Sequence, residues 1–570
     1  MQRDLNALAD RRFDVVVVGG GIFGLCTAYD AALRGFSVAL LEKGDLAAAT
    51  SSACFKMVHG GVRYLQHADI ARLRQSAAER SVLLRIAPHL VEPLPIIIPT
   101  YGRGVKGKAF LGAGLRAYDA LTIDRNRGTA DRARHIGPAR FMSRGELEEA
   151  FPGVRGEGLT GAAVFQDGQM YSASRLGLAF ALSAARAGAQ IANYAEVTGF
   201  LRDGDSVSGV HVRDRLGGGS FEVRGRVVIN AAGPWAEELL AAGLNVRLEP
   251  ASTFSRDTCF MTSRPARGRN ALAAMGRTRD PDAVLSRDAR HLFIVPWHER
   301  VIIGVWHVVH GGAPGRFTVT ENELAAYLDE INWAYPGLNL ERGEITMWSA
   351  GLVLFGENAP GAVNLSYGKR SRLIDHAAVH GVPNLLTLIG VRYTTARAEA
   401  AKAVDWAARR LGMAERRCTS AHRPLVGGRI DDVNALLASA EREYAPFIPG
   451  PTVRALVRNY GTEFRAIAEA ARRDRHAAAR LGDSTVAAGE IDHAVREEMA
   501  VRLEDVVVRR TNLGEIGHPG PTALHAAAER MGEIMNWDAA RRRREIESVE
   551  ALFAWRGGPA AAPPRGAMKP

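Results

Sequence analysis

The chain has 570 residues, 47% hydrophobic and 24% charged, ordinary for a globular protein with room for several domains and a large core. Its four cysteines (Cys26, Cys54, Cys259 and Cys418) are scattered without a CxxC, which argues against a disulfide framework or a zinc site and suits a reducing compartment. The net charge of +11 reads as a solvated basic surface or as attraction to an anionic membrane face; no nucleic-acid-binding motif accompanies it, so no nucleic-acid partner is expected.

The N-terminal stretch "MQRDLNALADRRFDVVVVGG" has no long apolar run behind its charges, so no signal peptide is expected. No run of about 18 apolar residues predicts a transmembrane helix. The expected location is cytoplasmic, compatible with a peripheral place on the inner face of the cell membrane. Residues 13–18 ("FDVVVV") predict a buried strand, then a glycine turn, a helix over 22–33 and a second strand over 36–42, a βαβ start. The proline-broken "LVEPLPIIIP" (90–99) predicts another buried strand. Residues 167–193 hold a helix between strands, 223–235 a strand and tight turn, and "HLFIVPW" with "RVIIGVW" an antiparallel hairpin. From about residue 423 helical periodicity takes over, including one long stretch over 488–511. The expected organisation is a cofactor layer with an inserted sheet over 1–422, the sheet mainly at about 90–165 and 245–350. A helical domain over 423–555 and a disordered Pro/Ala/Gly tail over 556–570 follow.

Gly19, Gly21 and Gly24 form GxGxxG directly after the first strand, and Glu42 ends the second. Gly19 permits the tight turn, Gly21 lets a pyrophosphate approach the backbone, and Gly24 lets helix and strand pack closely. The helix N-terminus offers free N–H groups to phosphate. Glu42 can accept ribose hydroxyls and would repel a 2′-phosphate. Gly20 and Lys43 belong to the same two turns. The fingerprint alone does not choose between NAD and FAD. A second glycine segment, "VVINAAGPWAEEL", places Ala232, Gly233 and Trp235 after a later strand.

On "GGGIFG", "ALLEKGDLAAATSSACFKMVHGGVRYLQ", "NAAGPW", "FIVPW", "TTARAEAAKA" and "VREEMAVRLEDVVVRRTNLG", the chain resembles the FAD-dependent glycerol-3-phosphate dehydrogenase family, within the wider glycine/D-amino-acid oxidase-like flavoproteins. The likeness spans roughly residues 13–514. It implies FAD and an α/β fold: a Rossmann-like FAD-binding domain interleaved with an antiparallel substrate sheet, plus a C-terminal all-helical domain. It implies oxidation of the secondary alcohol of sn-glycerol 3-phosphate to dihydroxyacetone phosphate, with electrons passing to quinone at a membrane face; a homodimer is compatible with it. It assigns Thr50, Ser51 and Ser52 to the pyrophosphate and ring edge. Lys56, His59, Gly60 and Gly61 would border the isoalloxazine, the glycines because a side chain would collide with the ring. Val197, Gly390, Thr394 and Thr395 complete the cofactor set, and Arg63 and Tyr64 turn into the substrate pocket. No metal is expected.

The substrate half departs from the family pattern. Gly-Thr-Thr-Asp reads Gly304-Val305-Trp306-His307 here, and Gly-Val-Arg-Pro reads Gly351-Leu352-Val353-Leu354, so Val353 stands where an arginine grips phosphate. Asp257 stands for a histidine, Arg392 for a lysine, and Lys369 for a further phosphate-site arginine. A lost bidentate arginine should weaken phosphate binding about ten- to a hundredfold. Trp306 either narrows the pocket or is plain core. His307 and Asp257 are the candidate bases. Two alternatives stay open from these departures: oxidation of a different, unphosphorylated polyol or sugar-like alcohol, and a non-catalytic flavoprotein.

Overall fold

The computed structural model describes residues 1–67, 69–102, 107–277, 291–355 and 370–557. Arg12–Val18 pairs in parallel with Val38–Leu41 on one side and Ser220–Asn230 on the other. Leu385–Ile389 adds parallel to Ser220–Asn230, and Gln190–Ala192 to Val38–Leu41. The unbroken valine run of the first strand suits this place, because a parallel strand is covered on both faces. Helices Ile22–Leu33, Ala173–Arg186 and Ala396–Arg410 share one hydrophobic core on one face. All of these strands point the same way, so their C-terminal ends form one edge. In open α/β sheets that edge is where ligands bind.

A second sheet runs, among the described residues, in the order Ile345–Phe355, Thr253–Pro265, Arg300–His310, His291–Trp297, Ala271–Met275, Val91–Tyr101, Leu159–Met170, Met57–Val58. The expected hairpin is present. It turns at His298 and Glu299, both at positive φ, as a two-residue turn between twisted strands requires. The proline-broken segment is strand Val91–Tyr101, paired along its length with Leu159–Met170.

From Val433 onward the regular elements of the described residues are helical. Val433–Tyr444, Gly450–Tyr460 and Phe464–Arg473 close on a core of their own around Tyr444, Leu456 and Phe464. Pro521–Met535 and Ala539–Trp555 instead pack Leu524, Met531 and Phe553 into the core beneath the second sheet, with Met261, Ile302 and Met347. The stretch 488–511 is not one helix. It stops at Glu497, passes Met499 at φ +59°, and resumes at Leu503 to end in a single π turn, Val506–Arg510. Buried charge breaks the periodicity here: Glu498 is drawn inward to Arg175 at 2.7 Å. The tail beyond residue 557 lies outside the described residues. No helix among the described residues is long and apolar enough to cross a membrane.

Candidate active site

The glycine fingerprint sits at the C-terminal edge of the parallel strands. Gly19 turns at φ +103°, and a Cβ there would lie 2.7 Å from the Ala231 carbonyl oxygen. At Gly24 a Cβ would lie 1.9 Å from the Gly19 oxygen, so helix and strand approach as only glycine allows. Helix Ile22–Leu33 starts at Gly21 without a cap from its own N-cap residue. Ser51 reaches its N-terminus and accepts the Ile22 N–H at 2.9 Å. Glu42, at the end of the neighbouring strand, accepts N–H groups from Gly20 at 2.6 Å and Gly44 at 2.7 Å. Burial raises its carboxyl above the usual range, and these two donors hold it back. Lys43 lies 3.8 Å over the Trp235 ring, which joins the end of the second strand to the Ala232–Gly233 turn. Gly390, at the end of strand Leu385–Ile389, lies under the Phe23 ring so closely that a Cβ would lie 1.9 Å from it. Val197 is half-buried on strand Ala195–Asp203, whose first N–H donates to the Glu42 carbonyl at 2.8 Å. Adjacent strand ends, a helix N-terminus at a glycine turn and a buried acid at the end of the second strand are the features of a dinucleotide site, and these residues fit FAD.

The segment 50–66 is neither helix nor strand for long: a helical turn Thr50–Ala53, a two-residue strand Met57–Val58 and a 3-10 stretch Val62–His67. Its conformation comes from outside contacts. Thr50 Oγ1 donates to the Leu352 carbonyl at 3.1 Å and accepts the Leu352 N–H. Lys56, at φ +62°, turns its ammonium onto the Ser52 carbonyl beneath Trp297, while its own carbonyl accepts the Met170 N–H at 2.7 Å. The Ser52 hydroxyl donates to the Ala49 carbonyl at 3.0 Å. The His59 N–H donates to Thr394 Oγ1 at 3.1 Å, and Thr395 is buried beside it. Buried Asp167 accepts the Gly60 N–H at 2.6 Å and Arg80 Nη1 at 2.9 Å, with His59 Nδ1 at 3.3 Å. Burial pushes the Asp167 carboxyl up, but His59 and Arg80 bring it below the usual range.

A Cβ on Gly60 would lie 2.2 Å from Arg80 Nη1 and 2.3 Å from the Tyr118 hydroxyl, and one on Gly61, at φ +82°, 2.9 Å from Ser76. The protein beneath the segment therefore also favours glycine at both positions. Asp167, Arg80 and Tyr118 were not singled out from sequence; nothing local to them points to this loop.

Tyr64 lies between two guanidiniums, Arg392 at 4.7 Å and Arg72 at 4.9 Å from its ring centre. Burial raises the Tyr64 phenol, against the pull of Arg392, Arg72 and Arg63. Arg63 is exposed at the same bend. Arg72 donates to Asp69 at 2.6 Å, and Arg370 also acts on Asp69. Arg72 and Arg370 therefore join the expected Arg63, Tyr64 and Arg392. Lys369 lies outside the described residues.

The second sheet brings the other pair together. Asp257 is in register with His307 on one side and Gly351 on the other, and its Oδ1 lies 2.7 Å from His307 Nδ1. Ser255 donates its hydroxyl to the same oxygen at 2.7 Å. A Cβ on Gly351 would lie 3.0 Å from Thr50 Cα. Strand alternation then puts Ser255, Asp257, His307 and Val353 on the face turned toward the start of the flavin segment. Trp306 points the other way. It is buried, stacked on Phe260 and Tyr327, and donates to Glu330 at 2.9 Å. It is core and does not narrow the pocket.

Among the described residues no cluster of metal-ligating side chains occurs. The profile described as "FAD dependent oxidoreductase" matches residues 14–390, and that of the "C-terminal domain of alpha-glycerophosphate oxidase" matches residues 418–542. The chain is 31% identical to glycerol-3-phosphate dehydrogenase 2 of Mycobacterium bovis, over 95% of this chain and 88% of that one. It is 29% identical to a glycerol-3-phosphate dehydrogenase of Synechocystis sp., over 96% and 97%. The fold is similar to that of the FAD-complexed glycerol-3-phosphate dehydrogenase of Bacillus halodurans, with a TM-score of 0.74 at 22% identity over 98% and 97% of the two chains.

Proposed function

Because the chain belongs to the FAD-dependent oxidoreductase family, alongside the glycerol-3-phosphate dehydrogenases, we propose that it oxidises sn-glycerol 3-phosphate to dihydroxyacetone phosphate. The observation that supports the substrate class is the Arg392–Tyr64–Arg72 stack beside exposed Arg63. A phosphate dianion calls for several donors with fixed directions, and guanidiniums supply them in forks. The near-full-length relatives favour neither an unphosphorylated substrate nor a non-catalytic flavoprotein.

Bound FAD supplies the two-electron acceptor. The chain supplies proton handling and orientation. Asp257 accepts the Nδ1–H of His307, which fixes the tautomer that leaves Nε2 as an acceptor. His307 Nε2 takes the proton of the substrate hydroxyl as the carbon gives up its hydride, and Asp257 stabilises the imidazolium formed. Ser255 orients Asp257. The family pattern has a histidine where Asp257 stands and an aspartate where His307 stands. In this reading Asp257 and His307, in register on adjacent strands, serve as that pair with its members exchanged.

The test is anaerobic mixing of the yellow protein with sn-glycerol 3-phosphate and, separately, glycerol, following flavin absorbance. Rapid bleaching by the phosphate ester and none by glycerol is expected. Bleaching by glycerol alone, or by dithionite alone, would sink the reading.

The electron acceptor in this reading is a quinone, met at the inner face of the cell membrane by a protein of the cytoplasm. The +11 charge supports it. So do Phe110 and Ile123, 44% and 85% exposed near the two ends of helix Lys108–Leu121. Sedimentation with anionic vesicles, reversed by salt, is expected; equal recovery with neutral vesicles would count against it.

A further inference from the structure

The acid of the nucleotide fingerprint is held from the far end of the chain. Asp45 follows Glu42 by three residues in the same loop. It accepts Arg509 Nε at 2.6 Å and Arg510 Nη2 at 2.8 Å, with a second, shorter bond from Arg510 Nη1. Asn193 Nδ2 adds a third donor at 3.0 Å. Asp45, Asn193, Arg509 and Arg510 are each at most 5% exposed. Arg509 also donates to Asp505 at 2.7 Å, and Asp505 accepts the Tyr194 hydroxyl at 2.6 Å. The opposite side of the loop is fixed by backbone: Glu42 N–H to Ala192 at 2.9 Å, Ala195 N–H to Glu42 at 2.8 Å, and Tyr194 N–H to Gly44 at 2.8 Å. The loop that aims Glu42 is therefore clamped between the Ala192–Ala195 crossover and the π turn Val506–Arg510. Isolated π turns occur mostly where a helix has been shaped for function; this one delivers two consecutive arginines to one carboxylate.

We propose that Arg509 and Arg510 are positioning residues for FAD: by holding Asp45 they fix the loop that presents Glu42, itself held by the Gly44 N–H, to the cofactor. Cofactor binding and the clamp of Arg509 and Arg510 on Asp45 are then coupled, and each strengthens the other by the same factor. The C-terminal region thereby acts on the cofactor half of the site without touching the substrate.

A second buried pair makes the control. Arg175, on helix Ala173–Arg186, holds Glu498 through two bonds of 2.8 and 2.7 Å and joins the same two regions without touching the loop; Arg510 donates to the Glu498 carbonyl at 3.1 Å, a main-chain bond that a change of the Glu498 side chain leaves in place. FAD is titrated into apoprotein of the full-length chain, with flavin fluorescence as readout, for the wild type, Arg510→Gln and Glu498→Gln. Loss of charge-assisted bonds to Asp45 should weaken FAD about ten- to a hundredfold in Arg510→Gln. Glu498→Gln should lower the melting temperature and leave the FAD Kd within twofold. Arg509→Lys, which keeps a charge but loses the fork, should fall between wild type and Arg510→Gln. Equal FAD affinity in folded Arg510→Gln and wild type overturns the proposal. Should Arg510→Gln not fold, hydrogen exchange on the wild type decides: FAD must slow exchange of the amides of 506–511, and unchanged exchange overturns it.

Discussion

At the nucleotide end of the molecule the recognising groups belong largely to the backbone; at the substrate end they belong to side chains. Gly19, Gly21 and Gly24 contribute open space and N–H groups at strand ends, at approaches where a Cβ on Gly19 or Gly24 would overlap the main chain. Tyr64, Arg72, Arg392, Asp257 and His307 instead come from a 3-10 stretch, a helix, a loop and two strands of another sheet. A backbone site admits few sequences. A side-chain site needs only the right groups in the right places, and strand register alone brings Asp257 and His307 together.

The contrast is sharpened most by His307→Gln. Removing a general base should lower kcat by ~100- to 10,000-fold. The nucleotide end should not respond: FAD content after purification should equal that of the wild type. A loss of kcat below tenfold would remove His307 from the proton path. Gly24→Ala is the reciprocal change. Its Cβ would overlap the Gly19 oxygen, so the helix must leave the strand. Overpacking of this kind costs about 1–3 kcal/mol or more, enough to weaken FAD roughly tenfold to a hundredfold. FAD retained at wild-type affinity would show that the tight approach is not what the cofactor needs.

Val353→Arg tests whether the substrate end can be rewritten. Val353 is half-buried, faces the same side as Asp257 and is in register with Ser255. Restoring a guanidinium should lower KM for sn-glycerol 3-phosphate by about tenfold to a hundredfold, with little change in kcat. A fall in kcat without a fall in KM would mean that the new arginine pairs with Asp257 and disturbs His307.

The same division decides what was readable in the sequence. The βαβ start, the glycine turn, Glu42 and the outer hairpin are local patterns, and the strands and helix fall where periodicity places them. The segment 50–66 has no period of its own, since its shape is set by Leu352, Asp167, Thr394 and Met170, each 107 or more residues from the group it holds. Asp257 and His307 were legible as candidates but not as a pair, because strand register is needed to bring them together. Trp306 was ambiguous until alternation put it on the far face. The long helical stretch over 488–511 misled because buried Glu498 and Arg510 obey partners in the first domain and not the 3.6-residue period.

That junction also carries the smallest expected effect. Burial pushes Asp45 up, but Arg510 and Arg509 overcome it and hold the carboxyl well below the usual range. Glu490, buried nearby, has no such partner at contact distance: it accepts the Tyr460 hydroxyl at 3.1 Å and the Ala487 N–H at 3.0 Å, with Arg175 and Glu498 acting at longer range. Burial raises it to about 7 from an ordinary 4.5. Between those values the folded chain keeps a proton that the unfolded chain has released, so stability falls as pH rises through that window and levels off above it. The loss is on the order of 3 kcal/mol at most, a few degrees in Tm for a chain of this size. Glu490→Gln keeps an acceptor for the Ala487 N–H and cannot ionise. Urea midpoints for wild type and Glu490→Gln should therefore differ little near pH 5 and diverge toward pH 8, with the variant the more stable. Parallel pH profiles for the two proteins would mean that Glu490 is charged in the fold.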